Sequence, residues 1–517
     1  MEVIRKNRRY APYIKTGIVG LTLVGLTACS QGESSTTAGN PAPGGSAGLS
    51  GPIVFVRNAS DRPLMSFKLK GDSGNEFINA ISSVKFENAG LGDMQLTDGD
   101  WVFVNLADTG KVAAIDPLRA ATPTHEVNLP GGTRPVHIFR DANDGQVIWS
   151  MNDGVRPADP PAPPGPTDGD DVENCATKGG GSVTAIHNSH LGPGAPDPEV
   201  LGTTCLLADG HKVAAFSTGA GVPKRVFVSS ETAGEIAVLD DQEGSATYRQ
   251  MIHRIDLCDA TKEAGLPSPA TCNVENPTGA TAFTPNNSGP HGIRWSKLTK
   301  KIYSFQEHYG EIAEIDPTTF AITNKFDLAG TSYSGYGISP DGRFLLLRGN
   351  GTAPAGMRLG VIDLGTTGAP RTDFTIPELE NTSAGAFKFS PDGKRFYILS
   401  GNSPTSTKQD RLFVFDTSTL TATPPALTLI KDLPLVPSGD SDSRTFESAH
   451  TLDILAQGPI GAGEAKYIVV TNRLANSISI INASDNEIKE TVPVGAKTLA
   501  VLVYESGATE RGHQATN

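Results

Sequence analysis

Five stretches of the chain repeat one pattern of apolar and polar positions without gaps. Each begins with a run of β-branched or aromatic residues, continues through a short polar turn and ends with alternating apolar residues. The five stretches are residues 52–67, 101–116, 225–240, 301–316 and 467–482. The pattern predicts a hairpin whose first strand is largely apolar and whose second strand alternates. Hairpins that recur every 40 to 75 residues or so (about one blade each) predict a β-propeller.

A further apolar segment precedes most of these hairpins and is predicted to be the innermost strand of a four-stranded blade. These segments are residues 136–139, 213–216, 292–295, 336–339, 386–389 and 450–455. Hairpins near residues 53, 101, 146, 225, 301, 343, 394 and 467 predict an all-β propeller of eight blades. Seven blades is the alternative, because the proline-rich third unit is irregular.

The two ends of the repeat region predict how the ring closes. No inner strand precedes Ile53, whereas the apolar run 499–504 has no hairpin after it. We therefore expect the N- and C-terminal strands to pair in one blade, which would remove exposed sheet edges.

The N-terminal segment has the features of an export signal. Residues 1–28 contain a basic region followed by an apolar run that is too short for a comfortable membrane span. The run ends in Leu26-Thr27-Ala28-Cys29, which resembles a bacterial lipobox and implies that Cys29 is lipidated. An ordinary signal peptide is the alternative. We expect a flexible tether over 29–51, the propeller over 52–505 and a disordered tail over 506–517. These features predict an exported protein, lipid-anchored at the periplasmic face of a membrane or at the cell surface.

Charge and cysteine content narrow the partners further. The formal net charge of −13 argues against nucleic acid as a partner. The expected partner is the membrane, which the lipid on Cys29 would enter. Besides Cys29, four cysteines remain, and an even number favours disulfides in an oxidising compartment. Closeness in sequence favours the pairs Cys175–Cys205 and Cys258–Cys272.

Four of the ten histidines recur at the start of a predicted inner strand: His137, His211, His291 and His450. Inner strands line the channel of a propeller, so these imidazoles are expected to converge at its mouth. Converging neutral imidazoles favour zinc or copper. We expect His137, His211 and His291 to be the main metal ligands, with His450 and Glu231 as auxiliaries. The alternative is structural: each ring hydrogen-bonds to neighbouring backbone.

Several insertions are predicted on the face that carries these histidines: residues 155–180, 259–289, 349–357 and 401–411. Long loops on one side of a rigid scaffold often bind partners. A second hypothesis is therefore a cell-envelope scaffold that contacts another envelope protein through this face without metal.

Residues 467–495 resemble the YVTN-type repeat of bacterial propeller proteins, and the Ser-Pro-Asp-Gly turns at 339–342 and 390–393 fit the same superfamily. This resemblance implies the fold and leaves the activity open. A weaker resemblance is to periplasmic zinc-chaperone propellers, which carry histidines at the channel mouth and a disulfide beside one of them; here Cys205 precedes His211. This sequence lacks their histidine-rich N-terminal segment, so the resemblance implies metal binding and does not extend to metal delivery.

A third hypothesis is a propeller enzyme, either a metal-dependent oxidoreductase or a lactonase, but no catalytic residues can be assigned to it. The sequence contains no nucleotide-binding or haem-attachment motif, so neither cofactor is expected. Residues 141–145 (Asp-Ala-Asn-Asp-Gly) are predicted to be a turn, with a calcium loop as the alternative.

Overall fold

The strands of the computed structural model begin and end close to where the repeats predict them. The structure describes residues 52–58, 64–69, 75–81, 91–97, 101–115, 125–129, 134–154, 175, 181–188, 198–206, 208–272, 285–351, 356–400, 410–435, 449–456, 463–473, 475–495 and 497–504. The signal segment, Cys29, the tether and the tail predicted from the sequence lie outside these residues.

The first four blades are antiparallel sheets. Their strands are β1 (Ile53–Asn58), β2 (Leu64–Leu69), β3 (Asn75–Ile81), β4 (Leu91–Leu96), β5 (Val102–Leu106), β6 (Lys111–Ile115), β7 (His125–Asn128), β8 (Pro135–Arg140), β9 (Val147–Asn152), β10 (Ser182–His187), β11 (Glu199–Cys205), β12 (Lys212–Ser217), β13 (Arg225–Ser230), β14 (Glu235–Asp240) and β15 (Met251–Asp256). One short helix, α1 (Ala260–Glu263), follows β15.

The remaining strands form blades five to eight and complete blade one. They are β16 (Pro290–Ser296), β17 (Lys301–Gln306), β18 (Glu311–Ile315), β19 (Ile322–Asp327), β20 (Tyr333–Ile338), β21 (Phe344–Asn350), β22 (Met357–Asp363), β23 (Arg371–Phe374), β24 (Ala384–Phe389), β25 (Arg395–Ser400), β26 (Arg411–Asp416), β27 (Thr428–Pro434), β28 (Ala449–Ala456), β29 (Ala465–Asn472), β30 (Ser477–Asn482), β31 (Glu487–Pro493) and β32 (Thr498–Tyr504). Two 3-10 turns, Pro377–Leu379 and Ser418–Thr421, follow β23 and β26.

The described residues form eight four-stranded sheets, which confirms eight blades rather than seven. Blades two to eight each use four consecutive strands, beginning with β4, β8, β12, β16, β20, β24 and β28. Blade one has the order β3-β2-β1-β32, and β32 pairs with β1 from Ile53 opposite Tyr504 to Asn58 opposite Thr498. The predicted closure by the two chain ends is therefore confirmed. The first strands of blades two to eight and β32 of blade one form the innermost layer: β32 contacts β28 and β4, β8 contacts β4 and β12, β16 contacts β12 and β20, and β24 contacts β28.

The core consists of apolar side chains packed between neighbouring blades. One cluster joins blades three, four and five through side chains that include Trp149, Phe227 and Ile302, each with at most 1% of its surface exposed. Complete burial of one such side chain contributes about 1.5–3 kcal/mol relative to exposure. This packing makes the inner strands a rigid frame for the residues that they carry.

Both predicted disulfides are confirmed: Cys175 is bonded to Cys205, and Cys258 to Cys272. The first joins the loop after β9 to the end of β11, and the second closes the loop that contains α1. Among the described residues, no helix has the length and apolar character needed to span a membrane.

Candidate functional site at the channel mouth

Six of the eight inner strands share an irregularity at the end where the predicted histidines lie; β12, which follows His211, pairs with β13 without it. The pairing between first and second strands shifts register between residues 91 and 94, 135 and 137, 290 and 293, 333 and 335, 384 and 387, and 449 and 452. Such bulges re-aim side chains and are common beside functional sites. His291 lies within one bulge, next to Gly292, whose φ of +133° favours glycine. The bulges explain how β8 and β16 present His137 and His291 at the channel mouth, whereas His211 lies directly before β12.

Three of the four predicted histidines lie together. Nε2 of His137 is 3.1 Å from Nδ1 of His211, and the two rings meet edge to face with their centroids 4.5 Å apart. The ring of His291 follows, with its centroid 4.7 Å from that of His211. Because the three residues belong to blades three, four and five, they form an arc of imidazoles across three consecutive blades.

A carboxylate lies beside Nδ1 of the histidine at each end of this histidine arc. Oδ2 of Asp93, on the inner strand of blade two, is 2.5 Å from Nδ1 of His137. Oε2 of Glu307, directly after β17, is 3.6 Å from Nδ1 of His291. A carboxylate hydrogen-bonded to one imidazole nitrogen, as Asp93 is to His137, fixes the ring orientation and makes the other nitrogen a better metal ligand.

The two bonded histidines have opposite protonation preferences. Burial disfavours the charged form of His137, but the charge of Asp93 and its hydrogen bond outweigh burial and raise the pKa of His137 above its ordinary value. Burial, together with the charges of His137 and His291, lowers the pKa of His211 to about 2. His211 is therefore neutral at physiological pH, and its Nδ1 can accept the proton of His137 Nε2.

The backbone on both sides of His211 is fixed by a buried lysine and by neighbouring loops. Nζ of Lys212, which is fully buried, donates to the carbonyl oxygen of Gly210 at 2.6 Å. The amide of Gly210 donates to the carbonyl of Asp153 at 2.8 Å, and the amide of Glu231 donates to the carbonyl of His211 at 3.0 Å. Burial lowers the pKa of Lys212 to about 8. His211 is thus held in the ring by contacts from blades three and four.

The other predicted ligands have different positions. Glu231 contributes its backbone amide beside His211, and its carboxylate charge acts on Lys212. His450 is the second residue of β28, on the inner strand of blade eight. Asp93 was not among the predicted site residues. It lies on β4, the inner strand of blade two, and this position is the only feature of the sequence that could have indicated it. Over the described ranges, no group of three or more His, Cys, Asp and Glu side chains is arranged as a ready metal site.

The loop closed by Cys258–Cys272 packs beside blade five. Glu263 in α1 is almost completely buried and accepts hydrogen bonds from the hydroxyl of Tyr309 at 2.6 Å and the amide of Asn287 at 2.7 Å. Burial opposes its charge, but the hydrogen bonds from Tyr309 and Asn287 lower its pKa to about 2. The carbonyl of Asn287 in turn lies 3.1 Å from Nδ1 of His308, next to Glu307. This insertion therefore reaches the histidine-bearing side of blade five, as predicted.

Comparison with known proteins identifies propeller structures of low sequence identity. The dihydro-heme d1 dehydrogenase NirN matches 87% of this chain and 74% of its own at 12% identity, with a TM-score of 0.49. The apo form of AztD from Citrobacter koseri matches 89% and 100% at 13% identity, with a TM-score of 0.48. The periplasmic gluconolactonase PpgL from Pseudomonas aeruginosa matches 87% and 98% at 12% identity, with a TM-score of 0.46.

The sequence matches no protein-family profile and no curated protein. At the identities of the solved structures, the similarity concerns the fold alone. The strand pairing of the described residues itself defines the class of protein: an eight-bladed β-propeller with a histidine arc at one end of its inner strands.

Proposed function

We propose that the histidine arc binds a transition-metal ion, zinc first and copper second, through His137, His211 and His291. In this proposal the protein holds the ion or hands it to a partner. The observation that carries the proposal is the pair of imidazoles with facing nitrogens 3.1 Å apart, one of them oriented by a carboxylate on its outer nitrogen. Imidazole nitrogens supported in this way are ordinary zinc ligands.

The histidine pair fits an ion with a small adjustment. Two nitrogens at 2.0–2.1 Å from a tetrahedral zinc are about 3.3 Å apart, so the 3.1 Å contact needs to widen by a few tenths of an ångström. The ion would then replace the shared proton between the two rings. His291 would turn its free nitrogen toward the same ion, since Glu307 faces its Nδ1. This rotation accounts for the lack of a ready three-residue ligand set among the described residues.

The proposal includes lipid anchorage outside the cytoplasm. Two disulfides in one chain are typical of a protein that folds in an oxidising compartment. The lipobox-like segment ending in Cys29 would attach this domain to a bacterial membrane, at its periplasmic face or at the cell surface. Residues 49–517 form one compact unit, so a soluble form beginning near Gly51 is suitable for experiments.

A second candidate function is hydrolysis, for example of a lactone, by acid–base catalysis. It is favoured by His137, which Asp93 holds at 2.5 Å and whose pKa the charge and hydrogen bond of that carboxylate raise. A protonated imidazole held in this way can act as a general acid. In that case His137 would donate a proton to the leaving group, and activity would persist in metal-free protein.

The test is the metal content of tag-free protein purified without chelator, measured by mass spectrometry. We expect about one zinc or copper per chain, and loss of this metal in the double variant His211→Ala/His291→Ala. His253→Gln, in the outermost strand of blade four, is the control and should retain the metal. Metal-free wild-type protein that takes up neither ion would reject the metal proposal and leave hydrolysis or a scaffold role.

A further inference from the structure

The segment 286–289 leads directly into β16, the inner strand that carries His291. Its first residue, Asn286, is 5% exposed and is bonded to blade four. Nδ2 of Asn286 donates to the carbonyl of Gly234 at 2.9 Å, in the turn after β13. The first amide of the same turn donates to the carbonyl of His211 at 3.0 Å. One turn of blade four is therefore bonded both to His211 and to the segment that enters the strand of His291.

The last two residues of the segment are bonded to the turn after β17, in blade five. The amide of Glu307 donates to the carbonyl of Gly289 at 3.0 Å. The amide of His308 donates to the carbonyl of Ser288 at 3.3 Å. Gly289 has a φ of +60°, and a Cβ atom there would lie only 2.6 Å from Nδ1 of His308, so glycine permits this close approach. Because Oε2 of Glu307 is 3.6 Å from Nδ1 of His291, one turn holds both the backbone before His291 and the carboxylate beside its ring.

The buried carboxylate of Glu263 holds the centre of the segment from the disulfide-closed loop that contains α1. Its Oε1 accepts from the backbone amide of Asn287 at 2.7 Å and from the hydroxyl of Tyr309 at 2.6 Å. Its Oε2 accepts from Nδ2 of Asn287 at 2.8 Å and from the amide of Ala270 at 2.7 Å. A carboxylate that is 1% exposed is stable only when its oxygens accept hydrogen bonds, and two of its four donors belong to Asn287. Glu263 therefore fixes the backbone and the side chain of a residue four positions before His291.

We propose that Glu263 and Asn286 are positioning residues of the histidine arc, which together set the spacing between His211 and His291 before an ion binds. This inference rests on the proposed metal site and deepens it. The ring of His291 must turn its free nitrogen toward the ion, and a backbone that is already held loses little further freedom when the ion binds. Residues that orient a metal ligand from behind change metal affinity about 10–100-fold when they are replaced.

The first measurement is the zinc affinity of tag-free protein in competition with a chelator. Glu263→Gln keeps the shape of the side chain but leaves two of the four donors without an acceptor, so we expect it to weaken zinc binding about tenfold. In protein that also carries His291→Ala, the same change should have no further effect, because Glu263 acts through His291. Glu314→Gln is the matched control and should bind zinc as the wild type does. Glu314 lies in the same blade and accepts from the hydroxyl of Tyr303 at 2.9 Å and from that of Thr323 at 2.7 Å.

The second measurement is made on zinc-free protein. Hydrogen exchange of the two amides in the turn after β17 reports directly on their bonds to the segment 286–289. We expect faster exchange of both amides in Glu263→Gln and in Asn286→Ala, and wild-type exchange in Glu314→Gln. Tyr309→Phe removes one donor to the carboxylate and should cause a smaller increase. It provides the same test if Glu263→Gln does not fold.

Two results would overturn the proposal. One is unchanged exchange of both amides in every variant that removes a contact of the segment. The other is an equal loss of zinc affinity from Glu263→Gln with and without His291. If the wild type binds no zinc but Glu263→Gln still exchanges faster, the metal site is rejected and the positioning contacts stand, so the two failures are distinguishable.

Discussion

Two buried carboxyl groups that lie far apart in the sequence, those of Asp141 and Asp241, predict that the stability of the protein falls as pH rises from acid to neutral. Asp141 directly follows the inner strand of blade three, and Asp241 follows the third strand of blade four; both are at most 3% exposed. Asn143 Nδ2 donates to Asp241 Oδ2 at 2.9 Å, and Trp149 Nε1 donates to Asp141 Oδ2 at 2.8 Å. Burial, and then the neighbouring charge of Asp141, raise the pKa of Asp241 to about 7.

The sign of the effect follows from where the proton is held. Between pH 4 and 7 the unfolded chain releases the Asp241 proton while the folded protein retains it, so this group lowers stability progressively as pH rises through that window. At roughly 1.36 kcal/mol for each pKa unit, the difference between 3.8 and about 7 corresponds to about 4 kcal/mol. Asp241→Asn removes the ionisation and should therefore stabilise the protein most at high pH.

Thermal unfolding at pH 4.5 and pH 8 is the assay. For a domain of this size, 1 kcal/mol changes the melting temperature by about 1 °C. We expect Asp241→Asn to raise Tm by up to about 4 °C at pH 8 and by about 1 °C at pH 4.5. An equal change at both pH values, or a lower Tm at pH 8, would refute this reasoning.

The adjacent residue provides a control of opposite sign. Burial opposes the charge of Asp240, but hydrogen bonds from Ser245 and Thr247, both 2.6 Å, lower its pKa. Its contribution is present above pH 4 and is lost as pH falls through its folded-state pKa. Asp240→Asn should therefore destabilise the protein at neutral pH and have less effect in acid.

Three further predictions concern the histidine arc, the loop closed by Cys258–Cys272 and the closure of the ring by β32. Asp93→Asn should weaken zinc binding about 10–100-fold in a chelator competition, because the His137 ring would lose the carboxylate that orients it. Exposed Asp485→Asn is the control. Unchanged zinc affinity in Asp93→Asn would exclude Asp93 from the site. Cys258→Ser/Cys272→Ser should lower stability by about 3 kcal/mol in thermal melts, the value for a loop of roughly 15 residues, and an unchanged Tm would contradict it. Deleting β32 and all that follows should abolish cooperative unfolding by exposing the edge of β1, whereas deleting only 506–517 should not.

The fold could be predicted because its determinants are local and repeated. An apolar strand, a polar turn and an alternating strand recur with the same spacing, and blade packing requires this pattern in every unit. Closure by residues 499–504 was predictable because an unpaired apolar strand and a missing inner strand complement each other. The disulfides followed from closeness in sequence, since each loop is short enough to close within one blade or between neighbours.

The site could be predicted only in part. The shared position of His137, His211 and His291 indicated convergence, because inner strands of consecutive blades adjoin. Asp93 was missed because the inner strand of its blade, β4, has no histidine, so only the strand register connects it to the arc. The contacts of Glu263 with Asn287 and Tyr309 join the disulfide-closed loop to blade five, and no repeated pattern places that loop. The contact between Asp141 and Asp241, which are 100 positions apart in the sequence, likewise arises from the packing of neighbouring blades and could not be predicted from the sequence.

Anomalous diffraction at the zinc edge, from crystals of the tag-free domain grown with one equivalent of zinc, tests the central claim most directly. The account predicts one strong peak at the channel mouth, about 2.1 Å from a nitrogen of each of His137, His211 and His291. It also predicts that Asp93 still contacts the outer nitrogen of His137. An empty channel mouth, with the His137–His211 hydrogen bond intact, would contradict the metal proposal.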